Sequence, residues 1–351
     1  MKKALIITLN GDVNFGNKLQ NYALKNILLN YFDDVETASY KESIAHILKI
    51  KVSELFKEHS IDKKKKKKFS KFNELLNYSK MKFCVDNVEL DTLNNYDFVF
   101  YGSDQVWRPY NYGIPELLGG KGAAKEKNIA YAASFGISKI EDKYAKNFED
   151  TFKRFKSIGL RENNGLDIVK KFGYDEVAVV VLDPTMLLET NQWDKLVVEP
   201  INKPKRRFIL NYFLGELSSN KYKQIKEIAD KYNCDIINIL DKNDTAYISG
   251  PGEFLYYEKN AFLICTDSFH SSVFAILYNK PFIVFERNDN LGNMNSRLET
   301  LINKFELKDR FYNGREITTR NLKCDYTTAN DILMKERNKS IEFIEESIGL
   351  K

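Results

Sequence analysis

The sequence predicts a two-domain α/β protein with parallel sheets. Three observations carry that prediction. The chain has 351 residues, about two domains of roughly 150 residues each. Short apolar runs alternate along it with stretches of helical periodicity, as in βαβ units. A polar stretch with two prolines, Pro200 and Pro204, interrupts that alternation near the middle.

In the first half, Ala4–Leu9 reads as a strand and Asn17–Leu29 as a helix, with Leu19, Tyr22, Ala23, Asn26 and Ile27 at helical spacing. Ile44–Phe56 and Phe69–Phe83 read as further helices around a lysine run. Phe98–Tyr101, Ile129–Ala133, Ile158–Leu160 and Val177–Leu182 read as strands. The last is apolar throughout, which predicts a parallel strand covered on both faces. It stops at Asp183-Pro184-Thr185. These elements place an N-terminal domain at 1–190 and a linker at 191–206. The second domain, 207–329, starts at the strand Phe208–Phe213 and continues with helix Asn220–Tyr232 and strand Asp235–Leu240. A strand then ends at Thr266, followed by a helix at Ser272–Tyr278 and an apolar run at Pro281–Phe285. A final helix, 330–348, has no strand after it and is expected to pack back on the first domain. Strand tips of both domains are expected to face an interdomain cleft.

Hydrophobic residues make up 43% and aromatics 13% of the chain, which excludes a disordered protein. The net charge is +5, and the run Lys63–Lys68 supplies more than all of it. That run reads as a solvated helix end or as a tether to an anionic membrane surface, worth about 1 kcal/mol per lysine. It lacks the basic stripe of a nucleic-acid binder. Cys84, Cys234, Cys265 and Cys324 are too scattered for a zinc or redox motif. No apolar run approaches the ~20 residues of a membrane span, and the N-terminus lacks a signal-peptide cleavage site. The expectation is a cytoplasmic protein, with the lysine run as its means of reaching the inner face of the membrane.

Five segments join a strand end to polar side chains. In Asn10–Gln20 a strand turns into a helix near Asn17, and helix-start amides favour an anion; the glycine spacing is not that of a dinucleotide fingerprint. In Tyr101–Pro109, Asp104 can accept a proton or hold a sugar and Trp107 can stack on one; equally, Ser103 or Asp104 can cap a helix with Trp107 in the core. Tyr131–Gly136 offers small residues for close backbone approach. Gly159–Glu162 puts Arg161 at a strand tip, as an anion fork or as an ion-pair partner of a carboxylate. In Thr266–His270, Asp267, Ser268 and His270 stand at the end of a buried strand. His270 is one of only three histidines, and imidazole exchanges protons near neutral pH. Arg287 and Arg297 follow as further cations.

Together these segments resemble the polysaccharide pyruvyl transferase family. The resemblance rests on Gly16–Leu24, Gly102–Trp107, Tyr131–Gly136, Arg161-Glu162, Asp183-Pro184-Thr185 and Thr266–His270. It implies two facing Rossmann-like domains of glycosyltransferase-B type. It also implies transfer of pyruvate from phosphoenolpyruvate to two hydroxyls of a sugar in a surface polysaccharide precursor, forming a ketal. The sequence shows no metal-ligand cluster, and with arginines to neutralise the phosphate the chemistry demands no metal; no cofactor is expected. On the basis of the resemblance His270 is the expected acid, with Asp267 holding its ring, and Asp104 the expected base. Arg161, Gly16, Asn17, Ser268 and Arg297 are the expected donor contacts, and Gln20, Gln105, Trp107 and Arg108 the acceptor contacts. The acceptor is a sugar, lipid-linked in one reading. The chain departs from the family at Ser268, where an arginine is common, and at Ser271, where glycine is common. A nucleotide-sugar glycosyltransferase and a non-catalytic glycan-binding module are the competing readings.

Overall fold

The computed structural model describes residues 1–11, 13–41, 60–110, 113–137, 139–287, 296–312, 314, 317 and 319–351. The helix expected over Ile44–Phe56 lies outside them. The chain forms two compact units. Unit 1 draws on Met1–Lys57, Ser70–Leu187 and Glu336–Lys351, and unit 2 on Glu58–Phe69 and Leu188–Lys335.

Unit 1 is built on a seven-stranded sheet in the order β3-β2-β1-β4-β5-β6-β7, every pairing parallel. The strands are β1 (Lys3–Ile7), β2 (Asp34–Tyr40), β3 (Tyr78–Phe83), β4 (Phe98–Asp104), β5 (Asn128–Ala133), β6 (Ser157–Leu160) and β7 (Ala178–Val180). The chain runs outward from β1 to β3, then returns to place β4 on the other side of β1. This reversal makes the carboxyl ends of β1 and β4 a topological switch point, where such sheets bind ligands. Helices α1 (Phe15–Leu28), α2 (Ser60–Asn73), α3 (Ala145–Phe152) and α4 (Asn163–Lys170) connect or flank these strands. Of the stripe expected in α1, Leu19, Ala23 and Ile27 are buried, while Tyr22 and Asn26 are half-buried.

Two expectations fail here. The Phe69–Phe83 stretch is not one helix: α2 ends at Asn73, Asn77 takes a left-handed conformation, and the chain continues as β3. Val177–Leu182 is not covered on both faces. Its strand β7 is the sheet edge, with Val179 44% exposed.

Unit 2 carries a smaller parallel sheet in the order β11-β10-β8-β9. Its strands are β8 (Phe208–Tyr212), β9 (Asp235–Asn238), β10 (Leu263–Thr266) and β11 (Phe282–Val284). Here the switch point lies between β8 and β10. The helices are α5 (Thr190–Asp194), α6 (Ser219–Tyr232), α7 (Pro251–Asn260), α8 (Phe269–Leu277) and α9 (Ser296–Lys304). α6 lays Ile225, Ile228 and Ala229 on the sheet face formed by Ile209, Leu263, Cys265 and Ile283. The stretch expected as a linker carries α5, whose Trp193 is fully buried edge-on to Phe274.

The last helix, α10 (Thr327–Ser347), belongs to unit 1 from Glu336 onward. There the Ser340 hydroxyl accepts from the Leu182 amide at 2.9 Å, and Lys156 donates to the Ser347 carbonyl at 2.8 Å. Phe343 packs over Gly159, where a Cβ would stand 2.9 Å from the ring, so only glycine lets the helix come this close.

The lysine run lies on α2. Lys65 is buried, its ammonium 4.2 Å from the Tyr247 ring centroid. Burial pulls its pKa down to about 8, against the neighbouring Asp62. Asp62 accepts from the Tyr247 hydroxyl at 2.7 Å and from Lys242 at 3.1 Å, and Lys68 pairs with Glu253. Lys65 and Lys68 therefore fasten residues 60–69 to unit 2; Lys63, Lys64, Lys66 and Lys67 are exposed.

Glu258 on α7 is fully buried beside Ser271. Burial pushes its pKa well above the usual carboxyl value, and the Ser271 hydroxyl offsets only part of that. The folded protein thus keeps this proton after the unfolded chain, titrating near ~4.3, has lost it. Its contribution is fully present below that pH and is lost as pH rises toward the folded pKa. Glu258→Gln is expected to raise Tm at pH 7–8, by about 2–4 °C per kcal/mol regained, and to change it little at pH 4. Thermal melts at both pH values check this; an equal loss at both would contradict it.

Candidate active site

The turn after β4 builds a polar cluster at the unit 1 switch point. Gly102 has φ +128°, and a Cβ there would stand 2.1 Å from the Tyr131 carbonyl. Asp104 itself sits at φ +73°, uncommon outside glycine and a conformation that clusters at functional sites. The Thr8 hydroxyl donates to the Ser103 carbonyl at 3.0 Å. The Ser103 amide donates to Gln20 Oε1 at 3.1 Å, and Gln20 Nε2 donates to Thr8 Oγ1 at 2.9 Å. β1, α1 and β4 are thereby locked together.

Arg161, at the end of β6, gathers three carboxylates. Its Nη2 lies 3.1 Å from Asp104 Oδ1, its Nη1 3.2 Å from Asp183 Oδ2, and its Nε 3.9 Å from Glu162 Oε2. Burial opposes its charge, but Asp104, Asp183 and Glu162 outweigh burial and raise its pKa. Ser103 donates to Asp183 at 2.7 Å, Thr185 at 2.6 Å, and Ser134 to Glu162 at 2.8 Å. Asp104 also accepts from the Asn17 side chain and, at 2.9 Å, from the Gln105 amide. Of the three carboxylates, the Asp104 side chain is 12% exposed against 0% for Asp183 and 1% for Glu162. Asp104 is the one that can meet a substrate proton.

This geometry revises several assignments. Arg161 is surrounded by more negative charge than it carries, so a phosphate there would be repelled; it holds Asp104 rather than standing open as an anion fork. The Asn17 amide is capped by the Asn14 side chain at 3.0 Å and Gly16 is buried in the first turn, so this helix start is spent internally. Gln20 is fully buried with its amide engaged and cannot reach an acceptor. Trp107 is in the core against Phe135, Phe152 and Phe155, its Nε1 donating to the Leu118 carbonyl at 3.2 Å, and offers no face to a sugar. Gln105 and Arg108 do stay half-buried beside Asp104, 3.4 Å apart.

Sequence reasoning gave no site role to Tyr110, nor to Asp183, which entered it only as part of the Asp183-Pro184-Thr185 motif. Burial pushes the Tyr110 phenol up to about 12, Arg108 lowering it and Asp104 raising it, which places it by both. Asp183 reads in sequence as a strand terminator; the Asp-Pro-Thr triplet closing an apolar run was its signal.

In unit 2, His270 is the second residue of α8 and 8% exposed. The Ser268 amide donates to Thr266 Oγ1 at 2.9 Å, and the Ser272 hydroxyl to the Ser268 carbonyl at 3.0 Å. These bonds fix the turn between β10 and α8. Ser268 is the N-cap residue, and its hydroxyl makes no capping bond. Asp267 does not hold the imidazole. Its oxygens accept from the Leu214 amide at 2.7 Å and the Gly215 amide at 2.8 Å, tying β10 to β8 across the switch point. Burial raises the Asp267 pKa, while these amides and Arg287 lower it. Arg287 lies against Gly215. Arg297 stands in the first turn of α9, which packs on α8.

The fold resembles that of a solved UDP-GlcNAc 2-epimerase. The UDP-GlcNAc 2-epimerase of Neisseria meningitidis, solved bound to UDP-GlcNAc, matches at TM-score 0.50 and 13% identity, over 100% of both chains. That of Methanocaldococcus jannaschii matches at TM-score 0.46 and 16% identity, over 99% of each. At such identities the likeness to the first shows the fold alone, a glycosyltransferase-B-type α/β architecture. No curated protein sequence matches. The family described as polysaccharide pyruvyl transferase matches residues 14–290, a span that holds both the Asp104 and the His270 turns. The chain belongs to the polysaccharide pyruvyl transferase family, a family of transferases.

Proposed function

We propose that this transferase moves the pyruvyl group of phosphoenolpyruvate onto two hydroxyls of one sugar in a surface polysaccharide precursor. The observation that carries the reading is the family match together with two polar turns, each at the switch point of its own sheet. A proton from His270 adds to the donor methylene and makes the adjacent carbon electrophilic. A sugar hydroxyl attacks that carbon and gives its proton to Asp104. Phosphate leaves with its bonding pair and takes up the proton held by Asp104, and the second hydroxyl closes the ketal as it returns a proton to His270. Ser268 at the start of α8, Arg287 beside Asp267 and Arg297 on α9 are the groups of unit 2 suited to the donor's phosphate and carboxylate. Gln105 and Arg108 beside Asp104 are suited to the acceptor.

The reaction is acid–base chemistry, and chelation with EDTA is expected to leave turnover intact. Loss on chelation with return on adding magnesium would contradict that. Among the described residues no helix is long and apolar enough to cross a membrane. The reading places the reaction in the cytoplasm, where the donor is made. With a lipid-linked acceptor, the exposed lysines of α2 would meet the inner membrane surface.

The test is incubation with phosphoenolpyruvate and candidate acceptors while phosphate release is followed. Release that depends on the acceptor supports the reading. Nucleoside diphosphate release from a nucleotide sugar would instead establish a glycosyltransferase.

A further inference from the structure

Unit 2 contains a cavity of about 320 Å³ at the carboxyl ends of β8 and β9, under the first turns of α6. Its volume is at the lower end of the roughly 300–1,000 Å³ of small-molecule sites. Four of its features define what it can hold. Asn211 is 3% exposed, and its Nδ2 donates to Asn238 Oδ1 at 3.0 Å. That bond leaves Asn211 Oδ1 buried without a partner, a costly state that a donor from a ligand would relieve. Phe213 and Tyr222 give the cavity aromatic surface, which packs on the C–H face of a sugar. Asp241 is held through one oxygen, which accepts from the Asn243 amide at 2.9 Å and its side chain at 3.0 Å. The other oxygen is left to accept hydroxyls. Among the described residues no lysine, arginine or histidine lines the cavity, which suits it to a neutral ligand rather than to an anion such as phosphoenolpyruvate.

We propose that this cavity is a subsite for a neutral, hydroxyl-rich ring of the acceptor, a glycosyl or ribosyl unit. Asn211 and Asp241 accept its hydroxyls, and Phe213 and Tyr222 pack on its apolar face. The subsite rests on the reading that the acceptor is a sugar, and it deepens that reading by giving one ring of the acceptor a site apart from the arginines suited to the donor. A glycosyl unit would be a neighbouring residue of the precursor. A ribosyl unit would belong to a nucleotide-linked acceptor.

The test titrates the full chain with methyl glucoside, methyl galactoside and methyl mannoside, and separately with uridine and cytidine, following binding by saturation-transfer NMR and calorimetry. Asp241→Ala and Tyr222→Ala remove recognition groups from residues with exposed surface, and their Tm values report folding. Binding of a glycoside or a nucleoside, weakened at least about tenfold in both variants at unchanged Tm, supports the subsite. Which class binds names the source. Absence of both, or binding that neither variant weakens, overturns it. The two readings separate by activity. If phosphoenolpyruvate is never turned over yet the ring binds as described, the transferase reading falls and the subsite stands. If turnover occurs and Asp241→Ala leaves the acceptor KM unchanged, the subsite falls alone.

Discussion

His270→Gln is expected to give a folded protein whose pyruvyl transfer has dropped by about 10²–10⁴-fold, the usual contribution of a placed acid or base. Glutamine keeps the size and hydrogen-bonding capacity of the side chain but cannot deliver a proton. The turn that presents His270 is held by Thr266, Ser268 and Ser272, none of which the substitution touches. Tm and circular dichroism should therefore match the parent while phosphate release falls. The loss should appear in kcat, with the donor KM changed far less. Near-normal turnover by the purified variant would remove His270 from the chemistry. Normal polysaccharide in cells carrying it would favour a glycan-binding role.

Arg161→Met should act on stability first. It would leave Asp104, Asp183 and Glu162 buried without their shared cation, and breaking such a buried pairing typically costs about 3–5 kcal/mol. Acidification should restore part of the loss, because protonation removes the uncompensated charge. Denaturant melts between pH 5 and 8 measure both effects. The sequence alone allows another outcome, in which Arg161 binds the donor's phosphate. An unchanged melting curve with a raised phosphoenolpyruvate KM would restore that reading and displace the ion cluster as Arg161's role.

The contrast between these residues shows what the sequence discloses. The strand-to-turn transitions at Asp104 and His270 are local, since an apolar run that stops in a polar cluster marks a strand tip. The helical stripe of α1 is local in the same way. The partners of those tips are not. Thr8 meets Ser103 across 95 residues of chain and Gln20 meets it across 83, so nothing near Gln20 reveals that its amide is already committed. Trp107 beside Arg108 reads like a sugar platform until Phe135, Phe152 and Phe155 close around it. β2 and β3 escaped notice because Asp34–Tyr40 and Tyr78–Phe83 mix polar and apolar residues toward the sheet edge, without the continuous apolar run of a central strand. Val177–Leu182 has that run and lies at the opposite edge, because hydrophobicity reports burial over the whole segment and β7 covers only its middle.

The most direct test of the central claim is turnover in deuterium oxide with phosphoenolpyruvate and a panel of glycosides bearing free diol pairs, read by NMR of the acceptor. The expected product is a ketal whose methyl carries one solvent-derived deuterium, formed together with free phosphate and absent with His270→Gln. Phosphoenolpyruvate left intact across the panel while a nucleotide sugar releases its nucleoside diphosphate would contradict the account.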